Sequence, residues 1–387
     1  MKKLTIYADK FFFEDCVKGP GYLIINSNKF ESFSKDAPPA DGEIIDYTGK
    51  WIAPGLVDTH IHGLLGYDVM NNDVDGLKKM AEGLLSCGVT SFLPTTLTAS
   101  IQSLDAVCET IGKHHKDISG AKIRGIFLEG PFFTEKYKGA QNPKYFSDPN
   151  IKTLDSWKTL SNGLIKKIAI APERADSLKF IKYAKKNGIQ VALGHSDATY
   201  QEAKNAVENG ASIFVHAFNG MSGFHHREPG MVGAAMSLGG VYNELICDGH
   251  HVCPQSAKIL MDAAGRDRMI LISDSSMAGQ MPDGDYILGE LSITVQDKVA
   301  RIETGSLAGS VLQLNEALKN VVDWKLATPF EAVCMASINA AKSVALDNVC
   351  GKIAPGYDAD FIVLNQNLEL EATYLNGQKR FVAKKEC

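Results

Sequence analysis

No stretch of the chain is long and apolar enough to cross a bilayer as a helix, since charged residues break every hydrophobic run well short of about twenty. The opening Met-Lys-Lys-Leu-Thr-Ile-Tyr-Ala-Asp-Lys lacks the apolar core of an export signal, because Asp9 and Lys10 interrupt it. The eight cysteines (Cys16, Cys87, Cys108, Cys247, Cys253, Cys334, Cys350 and Cys387) form no CxxC pair and no short disulfide framework. With no export signal either, a reducing cytoplasm is the expected location. A net charge of -5 leaves no basic footprint for nucleic acid or an anionic membrane. It still allows a phosphorylated small substrate, because one local Arg or His can bind one phosphate. Internal repeats and low-complexity segments are also missing. What remains is the composition of a soluble globular protein, 45% hydrophobic and 22% charged over 387 residues. That length suits one large domain with a satellite, or two ordinary domains.

What the chain does have is an alternation. Short β-rich apolar runs recur at Leu56–Thr59, Val89–Leu93, Ile123–Leu128, Ile168–Ala171, Ile189–Leu193, Ser212–Val215, Glu244–Cys247 and Met269–Ile272. Stretches with helical spacing separate them, among them Leu77–Leu85, Leu178–Asn187, Tyr200–Asn209 and Ser256–Ala264. Eight such units predict an α/β fold whose parallel sheet closes into a (β/α)8 barrel over residues 54–348, although an open doubly wound sheet would alternate in the same way. Residues 1–53 and 349–387 read differently, as short alternating strands with Gly, Pro and Asn turns. Neither end can hold a core of its own, so the two are expected to pair into one small β-sandwich domain, with boundaries near Pro54 and Pro355.

Polar residues able to do chemistry stand at the ends of the predicted strands. His60 and His62 close the first, Glu129 the third, His195 the fifth and His216 the sixth. Asp248, His250 and His251 follow the seventh, and Asp274 closes the eighth. In a barrel these ends converge on one face, where barrel enzymes place their sites. The two His of a strand-borne HxH point to the same side and can chelate one ion. Alone, each of these residues also reads as a turn or hydrogen-bonded structural residue. Together they make a set of imidazoles and carboxylates that holds Zn or a similar divalent ion with a position open for water. A carboxylate such as Asp274, facing that set, fits the base that takes the water's proton and returns it to the leaving amine. It also fits a metal ligand or a cap for Ser275 and Ser276.

The motifs resemble a known family. Pro54-Gly55-Leu56-Val57-Asp58-Thr59-His60-Ile61-His62-Gly63 is similar to the opening motif of the amidohydrolase superfamily. Glu129-Gly130-Pro131-Phe132-Phe133, Lys138-Gly139-Ala140, Gly194-His195-Ser196, His216-Ala217-Phe218-Asn219-Gly220-Met221 and His225-His226-Arg227-Glu228-Pro229-Gly230 resemble its N-acetylglucosamine-6-phosphate deacetylase branch. So do Asp248-Gly249-His250-His251, Ser273-Asp274, Leu307-Ala308-Gly309-Ser310, Asn339-Ala340-Ala341 and Gly356-Tyr357-Asp358-Ala359-Asp360, which together span nearly the whole chain.

The resemblance implies metal-dependent hydrolysis of N-acetyl-D-glucosamine 6-phosphate to D-glucosamine 6-phosphate and acetate, in amino-sugar catabolism and cell-wall recycling. It implies metal binding by Glu129, His195 and His216, with Asp274 as acid and base. Substrate contacts would come from Ala140, Gln141, Asn219, Gly220, Arg227, His251, Leu307, Ala308 and Gly309. Arg227 is expected to reach the phosphate in a neighbouring subunit's site, which would make a homodimer functional. The metal would be divalent, Zn first and Fe, Mn or Co as alternatives, with one or two ions per subunit.

Some members of the branch replace both opening His residues and hold one ion, so His60 and His62 favour a second ion bridged through Glu129. Others have His where this chain has Gln141. The carboxylated Lys of many two-metal relatives has no counterpart at the end of the fourth strand, where Ile170-Ala171-Pro172-Glu173 stands. The rival readings are another amidohydrolase, such as a cyclic-amide hydrolase or an N-acyl amino acid deacylase, and an inactive barrel serving as an assembly subunit. The last should have lost metal ligands or Asp274, and this chain keeps them.

Overall fold

The computed structural model describes residues 3–38 and 42–384; the outermost ends of the two terminal segments, including Cys387, lie outside the described residues. Eight parallel strands form the central sheet: β1 (Leu56–Ile61), β2 (Val89–Thr96), β3 (Ile126–Phe132), β4 (Ile165–Ile170), β5 (Gln190–Leu193), β6 (Ala211–Phe214), β7 (Tyr242–Leu245) and β8 (Met269–Leu271). Neighbours in sequence are neighbours in the sheet, with registers such as Leu128↔Ile168, Ile168↔Val191 and Leu245↔Leu271. The Asp274 amide donates to the His60 carbonyl at 2.9 Å, so the chain leaving β8 meets β1 and the sheet closes as a barrel. All eight expected runs fall on strands, with shifted bounds: the third is broken at Arg124 and Gly125, with Ile123 in a short extra strand, Lys122–Ile123, that pairs beside β2, and Ala171, Val215 and Ile272 lie just past their strands. The seventh begins two residues early, and Ile246 and Cys247 leave the ladder, still buried, to carry the chain to Asp248.

The connecting helices form where amphipathic spacing and caps agree. Tyr200–Asn209 buries Ala203 and Ala206 and is opened by a reciprocal cap: Thr199 Oγ1 accepts from the Glu202 amide, and the Thr199 amide donates to Glu202 Oε2 at 2.8 Å. Its last turn ends at Gly210, whose φ of 124° suits a residue without a Cβ.

Strands from both ends of the chain share a second sheet. Glu43–Pro54 pairs in parallel with Lys3–Phe12 on one side and antiparallel with Phe361–Leu364 on the other. The sheet curls until Phe30 meets Phe361 at 6.2 Å between ring centroids, around a core that includes Ile6, Phe11, Leu23, Ile25, Ile52 and Val363. The Gly356–Asp360 motif fastens this sheet to the barrel. Lys122 Nζ donates to Asp358 Oδ2 (2.8 Å), Asp360 Oδ2 (2.7 Å) and Asn376 Oδ1 (2.7 Å), and Arg124 Nη2 donates to Asp358 Oδ2 (3.2 Å). Burial pushes the Asp358 carboxyl up, but Lys122, Lys29 and Arg124 outweigh it and hold the group below its ordinary range.

One element escaped the sequence reading. Gly284–Leu288, Leu291–Gln296 and Val299–Ile302 form a three-stranded antiparallel sheet whose Leu288, Ile293, Val295 and Ala300 pack with Leu97 and Ala308. The clean alternation through Ile293 and Val295, bounded by Gly289-Glu290 and Asp297-Lys298, is the signal that could have found it.

Candidate active site

The mouth of the barrel gathers residues from six of its strands. His60 belongs to β1 and His62 directly follows it; Glu129 lies in β3; His195, His216, Asp248 and Asp274 stand two or three residues past β5, β6, β7 and β8. His195, His216 and Asp274 carry φ values of 47°, 29° and 49°. Such left-handed backbone costs a residue with a Cβ about 1–3 kcal/mol and clusters where side-chain direction matters more than local comfort. Here it turns three chains inward as they leave the sheet.

Two groups of ligand atoms result, each within 4.8 Å of one another: Glu129 with His195 and His216, and His60 with His62 and Asp274. Glu129 joins them. Its Oε1 lies 3.4 Å from His195 Nε2 and 3.2 Å from His216 Nε2, while its Oε2 lies 3.3 Å from His62 Nε2. Asp274 Oδ1 is 3.3 Å from His60 Nε2 and 3.2 Å from His62 Nε2.

The outer nitrogens decide what these groups can hold. His195 Nδ1 is 3.1 Å from the Tyr137 carbonyl oxygen and His216 Nδ1 is 3.1 Å from that of Asn219. A carbonyl only accepts, so both Nδ1 atoms carry protons. In neutral rings the two Nε2 atoms, 3.2 Å apart, then point lone pairs at each other. That arrangement needs a cation between them. Charge agrees: burial disfavours a charged His216, yet Glu129 outweighs it and pushes the imidazole pKa up. Burial works against His62 in the same way, and hydrogen bonds with Asp274 and Glu129 lift its pKa well above the ordinary value. Burial pushes Asp274 up, but the imidazoles of His60 and His62 win and hold it at about 2. At His60 burial wins over Asp274, Glu129 and Glu244 and pushes the imidazole pKa down, so positive charge is favoured at His62 and His216 and not at every ring. The donor set, imidazole and carboxylate, is that of a divalent ion such as Zn. The residues fit the metal.

A cleft of about 220 Å³ opens over these groups, lined by His62, Glu129, His195, His216 and Asp274 together with Ala140, Gln141, Asn219, Gly220, His251, Leu307 and Gly309. Asn219 Nδ2 is buried there without a hydrogen-bond partner, a donor available to a ligand. His251 Nδ1 is 2.7 Å from Asp248 Oδ2, which leaves its Nε2 to the cleft. Leu307 and Gly309 are placed by the three-stranded sheet that precedes them. A larger cavity of about 660 Å³ lies beside the terminal sheet, without the imidazoles. Chemistry, not volume, marks the site.

Several expected residues stand elsewhere than at the cleft wall. His60 lies beneath it, fully buried. Ala308 turns into the small core with Leu97 and Leu288. Arg227 is exposed on the loop after β6, with its Nη1 2.9 Å from His226 Nε2, and is not part of this chain's own cleft. Gln141 is committed: its Nε2 donates to Glu129 Oε2 at 2.7 Å and its Oε1 accepts from the Thr98 amide at 3.0 Å.

Two functional candidates were missed. Lys167 of β4 and Glu244 of β7 are ion-paired and fully buried inside the barrel, and Glu244 Oε2 lies 3.2 Å from His60 Nδ1.

Comparison with known proteins points the same way. The sequence profile of the amidohydrolase family matches residues 51–382. An N-acetylglucosamine-6-phosphate deacetylase of Vibrio furnissii is 39% identical over 334 residues, 86% of this chain and 83% of that one. An N-acetylgalactosamine-6-phosphate deacetylase of Escherichia coli O157:H7 is 38% identical over 341 residues, 88% of this chain and 90% of that one. Among solved structures, the D267A mutant of N-acetyl-D-glucosamine-6-phosphate deacetylase from Mycobacterium smegmatis, in complex with N-acetyl-D-glucosamine-6-phosphate, superposes with a TM-score of 0.93. It is 29% identical, and the match covers 98% of this chain and all of that one.

Proposed function

Because the chain belongs to the amidohydrolase family, we propose that it hydrolyses the acetamide of N-acetyl-D-glucosamine 6-phosphate, releasing acetate and D-glucosamine 6-phosphate. The observation that carries this reading is the pair of imidazole groups bridged by Glu129, with Asp274 beside them at the floor of a sugar-sized cleft. Glu129, His195 and His216 would hold one divalent ion, Zn first, with Fe, Mn or Co as alternatives. His60 and His62, with Asp274 beside them and Glu129 as the bridge, would hold a second. Bound there, the metal supplies Lewis acidity to the amide carbonyl and lowers the pKa of the attacking water.

The chain's own residues do the rest. Asp274, ionised, takes the proton of the attacking water and delivers it to the departing amine, so one carboxylate serves as base and then acid. His251, fixed by Asp248, donates from Nε2 to the oxyanion when its ring carries both protons. Asn219, Gly220, Ala140 and the Leu307–Gly309 segment border the sugar. Gln141 orients Glu129, a task that takes precedence over any contact with substrate. Arg227 binds the phosphate in the neighbouring subunit of a homodimer, consistent with its exposed loop and its distance from its own cleft. The enzyme works in the cytoplasm, where such sugar phosphates arise.

The test is acetate release from N-acetylglucosamine 6-phosphate, its C4 epimer N-acetylgalactosamine 6-phosphate, and both sugars without phosphate. Preference for a phosphorylated sugar supports the reading, and the epimer decides between the activities carried by the two similar relatives. Faster hydrolysis of a cyclic amide or an N-acyl amino acid would overturn it. Mixing an Arg227→Ala chain with an Asp274→Asn chain tests the dimer: each parent is expected to be nearly inactive at low substrate, and the mixture to recover one intact site per heterodimer. Replacing Arg227 should weaken binding of the phosphorylated sugar by about 2–5 kcal/mol and leave the unphosphorylated one nearly unchanged.

A further inference from the structure

Inside the barrel, on the far side of the His60 ring from the cleft, lies a lysine–glutamate pair that no step of the proposed reaction uses. Lys167 and Glu244 are each wholly inaccessible to solvent. Lys167 Nζ contacts Glu244 Oε1 and sits 3.6 Å from the centroid of the Phe127 ring. Thr59 Oγ1 donates to the same carboxylate at 3.4 Å, and its other oxygen faces His60 Nδ1 at 3.2 Å. As a source of stability such a pair is a poor choice. Two ions taken out of water seldom recover their desolvation, and apolar residues of like volume would do as well or better.

Its position gives it another use. An ionised carboxylate accepts and cannot donate, so Glu244 fixes the proton of His60 on Nδ1 and leaves the Nε2 lone pair facing Asp274 and His62. Among the four imidazoles of the two ligand groups, His195 and His216 rest on backbone carbonyls, and His62 Nδ1 has no hydrogen-bond partner among the described residues. Of these four, among the described residues, His60 alone has a carboxylate at hydrogen-bond distance from its outer nitrogen, and such a partner both orients the ring and strengthens it as a donor to a metal. The charge could not stand alone in the dry interior. Lys167 neutralises it.

We propose that Lys167 and Glu244 are a positioning pair for the second ion: they hold His60 as a ligand, so that occupancy of the His60–His62–Asp274 group depends on them while occupancy of the Glu129–His195–His216 group does not. This rests on the two-ion reading above. It also gives β4 a lysine with a task unlike metal bridging, three residues short of the strand's end.

The test is a titration of the metal-free full chain with Zn²⁺ by calorimetry, and with Co²⁺ by its visible absorption. Wild type is compared with Glu244→Gln, the double variant Lys167→Met/Glu244→Gln, and His60→Ala. Wild type should take two ions. Both Glu244 variants should keep the affinity for the first ion and lose about 10–100-fold for the second, the usual effect of removing such an outer partner. His60→Ala should lose the second ion altogether. The double variant removes the buried charges together, so it stays folded if the single one does not. Glu244→Asp, which keeps the charge and withdraws it by one methylene, should bind the second ion with intermediate affinity. Two ions bound at wild-type affinities by a folded Glu244 variant, with only its melting temperature lowered, would make the pair purely structural and overturn the proposal. A wild-type ceiling of one ion, unchanged in His60→Ala, would overturn the two-ion reading itself, a result distinguishable from the first.

Discussion

The two ligand groups at the barrel mouth share a carboxylate yet are built by different means. In the Glu129–His195–His216 group each imidazole is held by a carbonyl of a loop at the rim, Tyr137 for one and Asn219 for the other, and each stands on a left-handed residue just past its strand. In the His60–His62–Asp274 group the first ring is held from deep within the barrel by Glu244, while the second has no partner behind it. The first group is complete within its own loops. The second relies on the barrel interior at one ligand, and at the other the outer nitrogen has no hydrogen-bond partner among the described residues. A ligand ring with no hydrogen bond at its outer nitrogen is less firmly oriented and a weaker donor, so the second ion is expected to exchange more readily.

The change with the largest expected effect removes what the groups share. Glu129→Gln should empty both, because it withdraws the carboxylate that faces all four imidazoles, and metal analysis should then find well under one ion per chain with turnover at background. A variant that still bound one ion tightly would show that one group stands without the bridge. Next comes Asp274→Asn, nearly the same shape but unable to shuttle a proton. Turnover should fall by on the order of 10²–10⁴, with the first ion retained. Near-normal kcat in the metal-loaded variant would reduce Asp274 to a secondary ligand.

The smallest effect should fall on the first group alone. Gly220 has φ 61°, and a Cβ there would lie 2.8 Å from His195 Nδ1, the atom bonded to Tyr137. Gly220→Ala should disturb that anchor, weakening the first ion by about 10-fold or more and sparing the second. If the titration showed both ions unchanged while the melting temperature fell, the rim carbonyl would matter to folding and not to the metal.

Much of this was legible in the sequence, for a physical reason. Each strand of a parallel barrel ends at the same face, so a ligand written just after an apolar run is delivered to the mouth whatever the details of packing. His60, His62, Glu129, His195, His216 and Asp274 were all readable in that way. Lys167 and Glu244 were not. They are 77 residues apart, and only closure of the barrel brings β4 and β7 to a common axis. Lys167 also sits beside Lys166, and such a pair reads as a solvated face, although the alternation of a strand sends one outward and the other in. Gln141 shows a third limit: its place near the site was readable, but not that both ends of its amide would be spent on Glu129 and Thr98. The Leu307–Gly309 segment was expected at the substrate, and the small antiparallel sheet that carries it there was not foreseen.

The sheet shared by the two ends of the chain has a consequence for synthesis. Glu43–Pro54 leaves the ribosome well before its neighbour Phe361–Leu364, so Trp51, Ile52, Ala53 and Pro54 wait some three hundred residues for their partners. Until then the nascent chain carries an unpaired strand edge beside a growing barrel, the kind of surface on which unfinished chains stick to one another. Lys122 and Arg124 wait as well, since Asp358 and Asp360 arrive with the same late segment. Closing that clamp therefore waits for the segment of Asp358 and Asp360, and a chain stopped short of it leaves the ribosome with the edge of Glu43–Pro54 uncovered.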